Sequence, residues 1–229
     1  MVRNHLKSLA APKTWPIQRK EEVYISKPYP IGHKIEFTLP VSIVFKHMLK
    51  YCKTSKEVRL VLQEKQILVD GKKIKDEHEG IGLFSVLTIA DTNEHFRMTL
   101  NKNGKLELKK IDKKESELVP SKIQNKKVLG KDKVQINLGN GRNILVKKNE
   151  YKTGDTLMLT VPKQDVKEHI KLDKGTVVVL IGGKHIGHQG TVEQIEGDKI
   201  KFEDTDKKIH MTEKRYAIPI GIKKATITV

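Results

Sequence analysis

Short alternating apolar runs, separated by turn residues, dominate the chain from Phe96 onward and most restrict the folds it can adopt. The segments "FRMTL" and "KLELKKI" flank Asn103-Gly104, and "KVQINL" and "RNILV" flank a second Gly-Asn-Gly turn. Asparagine and glycine tolerate the positive φ of a tight turn, so each pair of segments predicts a β-hairpin. A further strand, "DTLMLTV", ends at Pro162, and strands at this spacing predict a small closed or nearly closed β-barrel.

The last part of the chain repeats this organisation. Val177–Ile181 forms the longest uninterrupted aliphatic run, and Ile200 and Phe202 alternate with charged residues. Gly197-Asp198 predicts the hairpin turn that precedes them. We therefore expect a second small β-barrel at the C-terminus.

Residues 43–63 carry the helical pattern of the chain. Phe45, Met48, Leu49 and Cys52 follow the i, i+3, i+4, i+7 spacing of one apolar helix face. The segment "TSKE", Thr54 to Glu57, predicts a capping box that starts a second helix, with Val58, Val61 and Leu62 facing inward. Asp70-Gly71 then predicts a tight turn between two short strands. The predicted unit is a compact module of two helices and a hairpin.

The charged residues of this module share a spacing that places them on one side. The predicted basic face consists of Lys46, Lys50, Lys53, Lys56 and Arg59, and Lys72, Lys73 and Lys75 extend it past the turn. We expect Arg59 and Lys50 to face outward, so that charge reversal at both would leave the fold largely intact.

The N-terminal segment 1–42 is rich in proline and basic before its first acid, Glu21. Proline removes a hydrogen-bond donor and fixes φ, so long regular structure is not expected here. Two interpretations stay open: a basic arm that orders against a polyanion, or a strand or loop that packs on the body. Trp15 would suit either, by stacking on a base or by anchoring the segment.

The charge balance favours a polyanionic partner. Lys and Arg number 45 and Asp and Glu 28, so the formal net charge is +17. Such an excess attracts nucleic acid, although an incidental lysine surplus or an acidic membrane surface would also accommodate it. Cys52 is the single cysteine, which excludes an intramolecular disulfide and fits a reducing compartment. The sequence has no apolar run of signal-peptide or membrane-spanning length, and a soluble intracellular protein is expected.

Three kinds of site are considered for the stretch "GTVVVLIGGKHIGHQGTVEQIEGDKIKF". A phosphate loop of an NTPase needs Ser or Thr after Gly183-Lys184, but His185 stands there. A metal site at His185 and His188 lacks cysteines or nearby acids, and would need His169 or His210 to join it. No nucleophile motif surrounds any serine or Cys52, and Glu57 and Glu64 are interpreted as solvated helix residues. The remaining hypothesis is a glycine-rich turn that shapes a barrel and presents Lys184 to phosphates.

Four motifs together resemble a known family. The stretch just described resembles a KOW motif, with Gly190 at its characteristic glycine, and "FKHMLKYCKTSKEVRLVLQEKQILVDGKKIKD" resembles the alpha-L RNA-binding module. "HLKSLAAPKTW" and "EHFRMTL" resemble segments of the archaeal and eukaryotic small-subunit ribosomal protein of the four-e family. Because their order and spacing match, the resemblance covers nearly the whole chain. The chain lacks the longer basic tail of the eukaryotic members, which makes it similar to the archaeal type.

This resemblance implies a non-catalytic structural component of the small ribosomal subunit, in the cytoplasm, that binds ribosomal RNA and neighbouring ribosomal proteins, with no cofactor, metal or membrane. The implied fold is mainly β with a small α+β module. Its predicted domains are a basic N-terminal extension (1–42), an alpha-L type module (43–92), a central β-barrel (93–170) and a KOW SH3-like barrel (171–229). The predicted RNA-binding residues are the basic face above together with Arg3, His5, Lys7, Lys13, Trp15, Arg19, Lys20, Lys184, His185 and His188.

Two other classes of protein use one of these modules. A pseudouridine synthase with an alpha-L module would carry a catalytic aspartate after Arg-Leu, but Val61 follows Arg59-Leu60 here. A transcription factor with a KOW domain would leave residues 1–76 unexplained. The ribosomal interpretation accounts for all segments.

Overall fold

The structure is a computed structural model that describes residues 5–130, 133–147, 150–204 and 207–228. It is mainly β, as predicted, and its elements separate into two compact units. The first unit comprises Met1–Thr99 and Lys105–Glu117, and the second comprises Leu100–Gly104 and Leu118–Val229. None of the helices in these described ranges has the length and apolarity required to cross a bilayer.

The first unit contains nine strands and three short α-helices within the described residues. The strands are β1 Leu6–Lys7, β2 Tyr24–Ile25, β3 Thr38–Pro40, β4 Ile67–Val69, β5 Lys72–Lys73, β6 Gly80–Gly82, β7 Val86–Ile89, β8 Glu94–Leu100 and β9 Leu106–Lys110; the helices are α1 Val41–Ile43, α2 Ser55–Glu64 and α3 Lys113–Ser116. Its largest sheet has the order β5-β4-β7-β8-β9, while β1 pairs with β2 and β3 with β6. The hairpin predicted around Asn103-Gly104 is present, and its strands extend this sheet.

The first predicted helix is shorter than its apolar spacing indicates. The α1 helix continues into a π-helical turn, Val44–Met48, in which the Leu49 N–H donates to the Val44 carbonyl. Lys50 then adopts a φ of 56° in the left-handed region, which ends the helix. Phe45 and Cys52 are nevertheless buried, as predicted, because the Cys52 N–H folds back to the Phe45 carbonyl.

The second unit contains two antiparallel five-stranded sheets. Their strands are β10 Leu118–Gly130, β11 Lys133–Leu138, β12 Asn143–Val146, β13 Thr156–Thr160, β14 Val166–Ile170, β15 Thr176–Leu180, β16 Gln189–Glu196, β17 Lys199–Asp204, β18 Ile209–Glu213 and β19 Ala217–Ile222. The strand orders are β12-β11-β10-β13-β14 and β18-β17-β16-β15-β19. Both predicted hairpins, at 139–142 and at Gly197-Asp198, connect neighbouring strands of these sheets.

Each sheet buries one face against its own apolar cluster. Ile123, Ile136 and Leu157 belong to the cluster of the first sheet, and Val178, Ile200 and Phe202 to that of the second. The alternation of apolar and polar residues in the sequence produces this pattern, because successive side chains of a strand point to opposite faces. Closure of either sheet into a barrel, and the four-domain division, stay predictions.

A half-buried lysine connects the two sheets of the second unit. The Lys122 ammonium on β10 donates to the carbonyl oxygens of Lys214, Arg215 and Ala217, at 3.0, 2.9 and 2.6 Å. Lys214–Tyr216 form a short 3₁₀ turn just before β19. The ammonium thus satisfies carbonyls at the end of that turn, and burial lowers the pKa of Lys122 to about 8.

Candidate nucleic-acid interface

The α2 helix begins with the predicted capping box. The Thr54 side chain accepts from the Glu57 N–H, and the Glu57 carboxylate accepts from the Thr54 N–H. These two reciprocal bonds satisfy backbone donors that the first helical turn would otherwise leave open. With the start of the helix fixed, Val58 and Leu62 are buried and Lys56 is exposed.

Arg59 is exposed on α2, as predicted, but it is not a free cation. Its Nε and Nη2 donate to one carboxylate oxygen of Glu77, and the Arg59 side chain is 65% exposed while that of Glu77 is 5% exposed. A buried carboxylate needs a nearby cation or donors to remain ionised. Arg59 therefore stabilises a buried carboxylate. The sequence did not indicate this role, because nothing in "KDEHEG" marks Glu77 as buried.

The lysines predicted to share the first helical face are separated by the end of that helix. Lys46 lies on the π-helical turn, half-buried, with its ammonium 3.7 Å from a carboxylate oxygen of Glu22. Lys50 and Lys53 lie beyond Met48 in the connection to α2, and both are exposed. The expectation of one continuous helical basic face is therefore wrong in its geometry, because the π-helical turn and the left-handed Lys50 interrupt the helix.

The tight turn after β4 forms as predicted. Asp70 and Gly71 have φ values of 49° and 76°, and the buried Asp70 carboxylate accepts from the Val86 N–H at 2.9 Å. Lys72 and Lys73 form β5 and are exposed on the edge strand of the sheet. A turn held by a buried carboxylate keeps these two lysines on a fixed edge, where a polyanion can reach them.

A polar cleft lies between α2 and the segment that follows β5. Its lining residues are Arg59, Gln63, Lys75, Asp76, Glu77 and His78. The cleft brings Arg59 and Lys75 together, two of the predicted contact residues. Lys75 is exposed, and its N–H donates to the Glu79 carboxylate at 3.1 Å.

The N-terminal segment packs on the body over its described residues. The Trp15 side chain is 1% exposed, and its Nε1 donates to the Ile35 carbonyl at 3.2 Å. Arg19 is half-buried and donates to the Pro12 carbonyl at 2.8 Å. The packing interpretation therefore accounts for Trp15, and Arg19 bonds within its own segment. His5, Lys7, Lys13 and Lys20 are exposed, and Arg3 lies outside the described residues.

The glycines of the loop between β15 and β16, and Gly190 at the start of β16, pack closely against neighbouring groups. A Cβ on Gly190 would lie 2.5 Å from the Glu203 carbonyl oxygen, and one on Gly182 would lie 2.4 Å from the Tyr216 ring. Gly187 has a φ of 79°, which L side chains rarely adopt. The loop between β15 and β16 is thus shaped for close backbone packing, and it leaves Lys184 exposed.

The loop histidines form an aromatic cluster. The ring centroids of His185 and His210 are 4.2 Å apart, and Phe202 packs against both. Burial, with the neighbouring His210, lowers the pKa of His185, so it favours the neutral ring. His188 Nδ1 lies 2.8 Å from a carboxylate oxygen of Asp204.

A metal centre does not assemble among the residues that the structure describes, where no group of three His, Cys, Asp or Glu side chains is placed to hold an ion. His169 does not join the loop histidines, because its Nε2 lies 2.8 Å from Asp155. Cys52 is buried, and that burial raises the pKa of its thiol, which disfavours the nucleophilic thiolate.

Comparison with known proteins gives a match along the whole chain. The family model described as "Ribosomal family S4e" matches residues 92–166, and the "RS4NT (NUC023) domain" model matches residues 2–36. Proteins named small ribosomal subunit protein eS4 are similar over nearly the full length. The relative from Aeropyrum pernix is 35% identical over 99% of this chain and 95% of its own. The relatives from Staphylothermus marinus and Methanocaldococcus jannaschii are 36% and 32% identical, each over 98% of this chain and over 95% and 97% of their own.

A solved structure shares the fold. The crystal structure of the 30S ribosomal protein S4e from Thermoplasma acidophilum has a TM-score of 0.71 to this chain and 24% sequence identity. The similarity covers 81% of this chain and 95% of that one. At 24% identity, this structural similarity is evidence that the two proteins share a fold.

Proposed function

The chain belongs to the ribosomal S4e family, and from that premise we propose that it is a structural constituent of the small ribosomal subunit that binds ribosomal RNA through basic surfaces. The observation that carries the proposal is the full-length similarity to archaeal proteins that are named for this subunit. The members' names describe ribosomal proteins and no enzyme, so the prediction that this chain is not an enzyme is confirmed by its family. Its place of action is then the cytoplasmic ribosome.

The proposed RNA contacts in the first unit centre on exposed lysines that the fold holds in place. Lys72 and Lys73 stand on the edge strand next to the Asp70-Gly71 turn, and Lys56 lies in the first turn of α2. Lysine ammonium groups contact phosphates without reading base sequence, which suits recognition of RNA shape. Lys50 and Lys53 add exposed charge in the connection before α2, and Lys75 adds exposed charge just after β5.

Several of the remaining predicted residues are weaker candidates for RNA contact, because their side chains already bind other groups of the protein. Arg59 and Lys46 face carboxylates, and Arg19 bonds to its own segment. Lys184 is the exposed cation of the C-terminal loop, and we propose that 171–229 is a KOW SH3-like barrel that presents it. The alpha-L type module, the central barrel and the N-terminal extension complete the proposed domain set, with the chain acting as a monomer beside neighbouring ribosomal proteins.

Sedimentation of a native lysate tests the proposal. The protein is followed across a density gradient, with and without RNase treatment of the lysate. Migration with the small subunit, and release from that position by RNase, would support a structural role that depends on ribosomal RNA. Retention at the top of a gradient in which the subunits are intact would overturn it.

A further inference from the structure

The outer face of the β10-β11-β12 sheet carries two rows of side chains that are mostly amides. Asn125 pairs with Asn137, and Asn137 pairs with Asn143, so three asparagines stand side by side across three strands. Residues directly opposite each other in a sheet project from the same face. The next row on this face consists of Lys127, Gln135 and Leu145.

This amide face is the solvent side of the sheet. Along β11 the buried residues Val134, Ile136 and Leu138 alternate with Gln135 and Asn137, which are partly exposed. Asn125 and Asn143 are exposed on the neighbouring strands. The rows therefore lie opposite the apolar cluster that holds the sheet together.

The central amides are ordered before any ligand arrives. Gln135 Nε2 donates to the Asn137 Oδ1 at 2.8 Å, which leaves the Asn137 NH₂ group directed away from that bond. Strands are about 4.8 Å apart, so the asparagine row spans about 10 Å. A group of fixed donors and acceptors loses little conformational entropy when it binds.

The chain segment that forms the amide face is basic in sequence. Between Glu117 and Glu150 it contains eight Lys or Arg residues and a single acid. Two of the lysines, Lys122 and Lys126, donate to backbone carbonyls. Lys127 lies on the amide face itself, and Lys133 shares its side of β11 by alternation. This charge selects a polyanion over a neutral or basic protein surface.

The side-chain chemistry distinguishes among polyanions. Amides both donate and accept, which matches the 2′-hydroxyl and the base edges in the wide, shallow minor groove of an RNA helix. Single-stranded RNA is instead held by stacking on aromatic rings, and the described residues of the two rows include none. A DNA duplex offers phosphates but no 2′-hydroxyl.

We propose that the amide face binds the minor groove of double-stranded RNA, with Asn125, Asn137 and Asn143 on 2′-hydroxyls or base edges and with Lys127 on flanking phosphate. The inference rests on the proposed function, and it adds a second contact surface with a defined RNA conformation. It predicts a preference for RNA over DNA that depends on the amides and not on charge.

A triple variant of the full chain, Asn125→Ala, Asn137→Ala and Asn143→Ala, tests this. The probes are an RNA hairpin stem, a DNA duplex of the same sequence and the unpaired RNA strand. We expect the affinity for the RNA stem to fall at least about tenfold, because three hydrogen-bonding side chains are lost from the contact. The affinity for DNA and the salt dependence of binding should be unchanged. The matched control is the variant Gln66→Ala, Asn103→Ala and Gln194→Ala, which removes three exposed amides elsewhere.

Each result then decides between defined alternatives, after circular dichroism has shown that the variant is folded. Equal losses on RNA and DNA, or an unchanged affinity for the RNA stem, would overturn the assignment of the amide face. Normal RNA binding combined with failure to enter the small subunit would instead assign this face to a neighbouring protein. If the unmodified chain binds none of the probes and stays outside the subunit, the proposed function itself fails.

Discussion

Arg59 donates from both Nε and Nη2 to a single carboxylate oxygen of Glu77, at 2.8 and 2.5 Å. The pair joins the exposed side of α2 to a residue whose side chain is 5% exposed. An arginine with two donors aimed at one carboxylate is ordered and partly neutralised. Arg59 therefore serves the fold first, and its charge is less available to RNA than that of Lys56 on the same helix.

The removal of Arg59 should cost stability. Arg59→Ala leaves the buried Glu77 carboxylate without its main partner, and we expect the free energy of unfolding to fall by about 1–3 kcal/mol. Lys56→Ala is the matched control on the same helix and should change it by less than about 0.5 kcal/mol. Urea denaturation of both variants measures the difference. Equal stability of the two would contradict the structural role, and charge reversal at Arg59 is for the same reason a poor test of RNA contact.

Lys122 should give a pH dependence of stability. Burial lowers its pKa from 10.5 to about 8, so between these values the unfolded chain binds a proton that the folded chain has released. Stability therefore rises with pH across this window, and below about pH 8 both states are charged and the contribution is flat. Relative to Lys122→Met, the native chain should gain stability from about pH 8 to 10 in urea denaturation. A constant difference would mean that the three carbonyls keep the ammonium charged.

Local structures that depend on residues a few positions apart could be predicted from the sequence. The Thr54–Glu57 capping box and the Asp70-Gly71 turn depend on residues within four positions, and both form as expected. The end of the first helix at Met48 was not predictable, because apolar spacing does not distinguish a π-helical turn from a longer helix. The sequence predicted the mainly β fold through its alternating runs and turn residues.

Features set by contacts distant in sequence could not be predicted from local patterns. The partner of the buried Glu77 is Arg59, 18 positions away, and only the folded chain brings the two together. The packing of Trp15 depends on a carbonyl 20 positions away, which left its two interpretations open. The asparagine row across β10, β11 and β12 needs the register of three strands, and periodicity within one strand does not supply it.

Gly190 should be intolerant of a side chain. A Cβ there would lie 2.5 Å from the Glu203 carbonyl oxygen and 2.6 Å from Cδ2 of Phe202, so β16 and β17 would have to separate. Gly190→Ala is expected to destabilise by about 1–3 kcal/mol, the usual cost of overpacking. Gly130→Ala is the control, because a Cβ there meets nothing within 4 Å. Thermal unfolding with equal midpoints for the two variants would contradict this packing.

Trp15 is the single tryptophan, so its fluorescence reports on one site. Because the indole is 1% exposed and bonded to the Ile35 carbonyl, acrylamide should quench the folded protein poorly. Addition of saturating RNA should leave the emission nearly unchanged. Strong quenching by RNA, with the protein still folded, would show that Trp15 leaves its pocket to stack on a base.

Lys72 and Lys73 should contribute to RNA binding through phosphate contact. Both are exposed on β5, and neither is needed by the turn, whose conformation depends on Asp70 and Gly71. In the variant Lys72→Ala/Lys73→Ala, each lost contact should lower the slope of log K against log salt by roughly 0.7–0.9. Stability should change by less than about 0.5 kcal/mol, because both side chains are exposed.

The control for this measurement is Lys110→Ala, at an exposed lysine whose ammonium lies 2.9 Å from the Glu94 carboxylate. A charge that is already paired releases few counterions from RNA, so this variant should keep the native slope. Titration of a small-subunit RNA fragment at several salt concentrations compares the three proteins. If the double variant keeps both the native affinity and the native slope, the RNA contacts of the first unit lie away from this hairpin. A slope change of equal size in Lys110→Ala would instead attribute the effect to net charge alone.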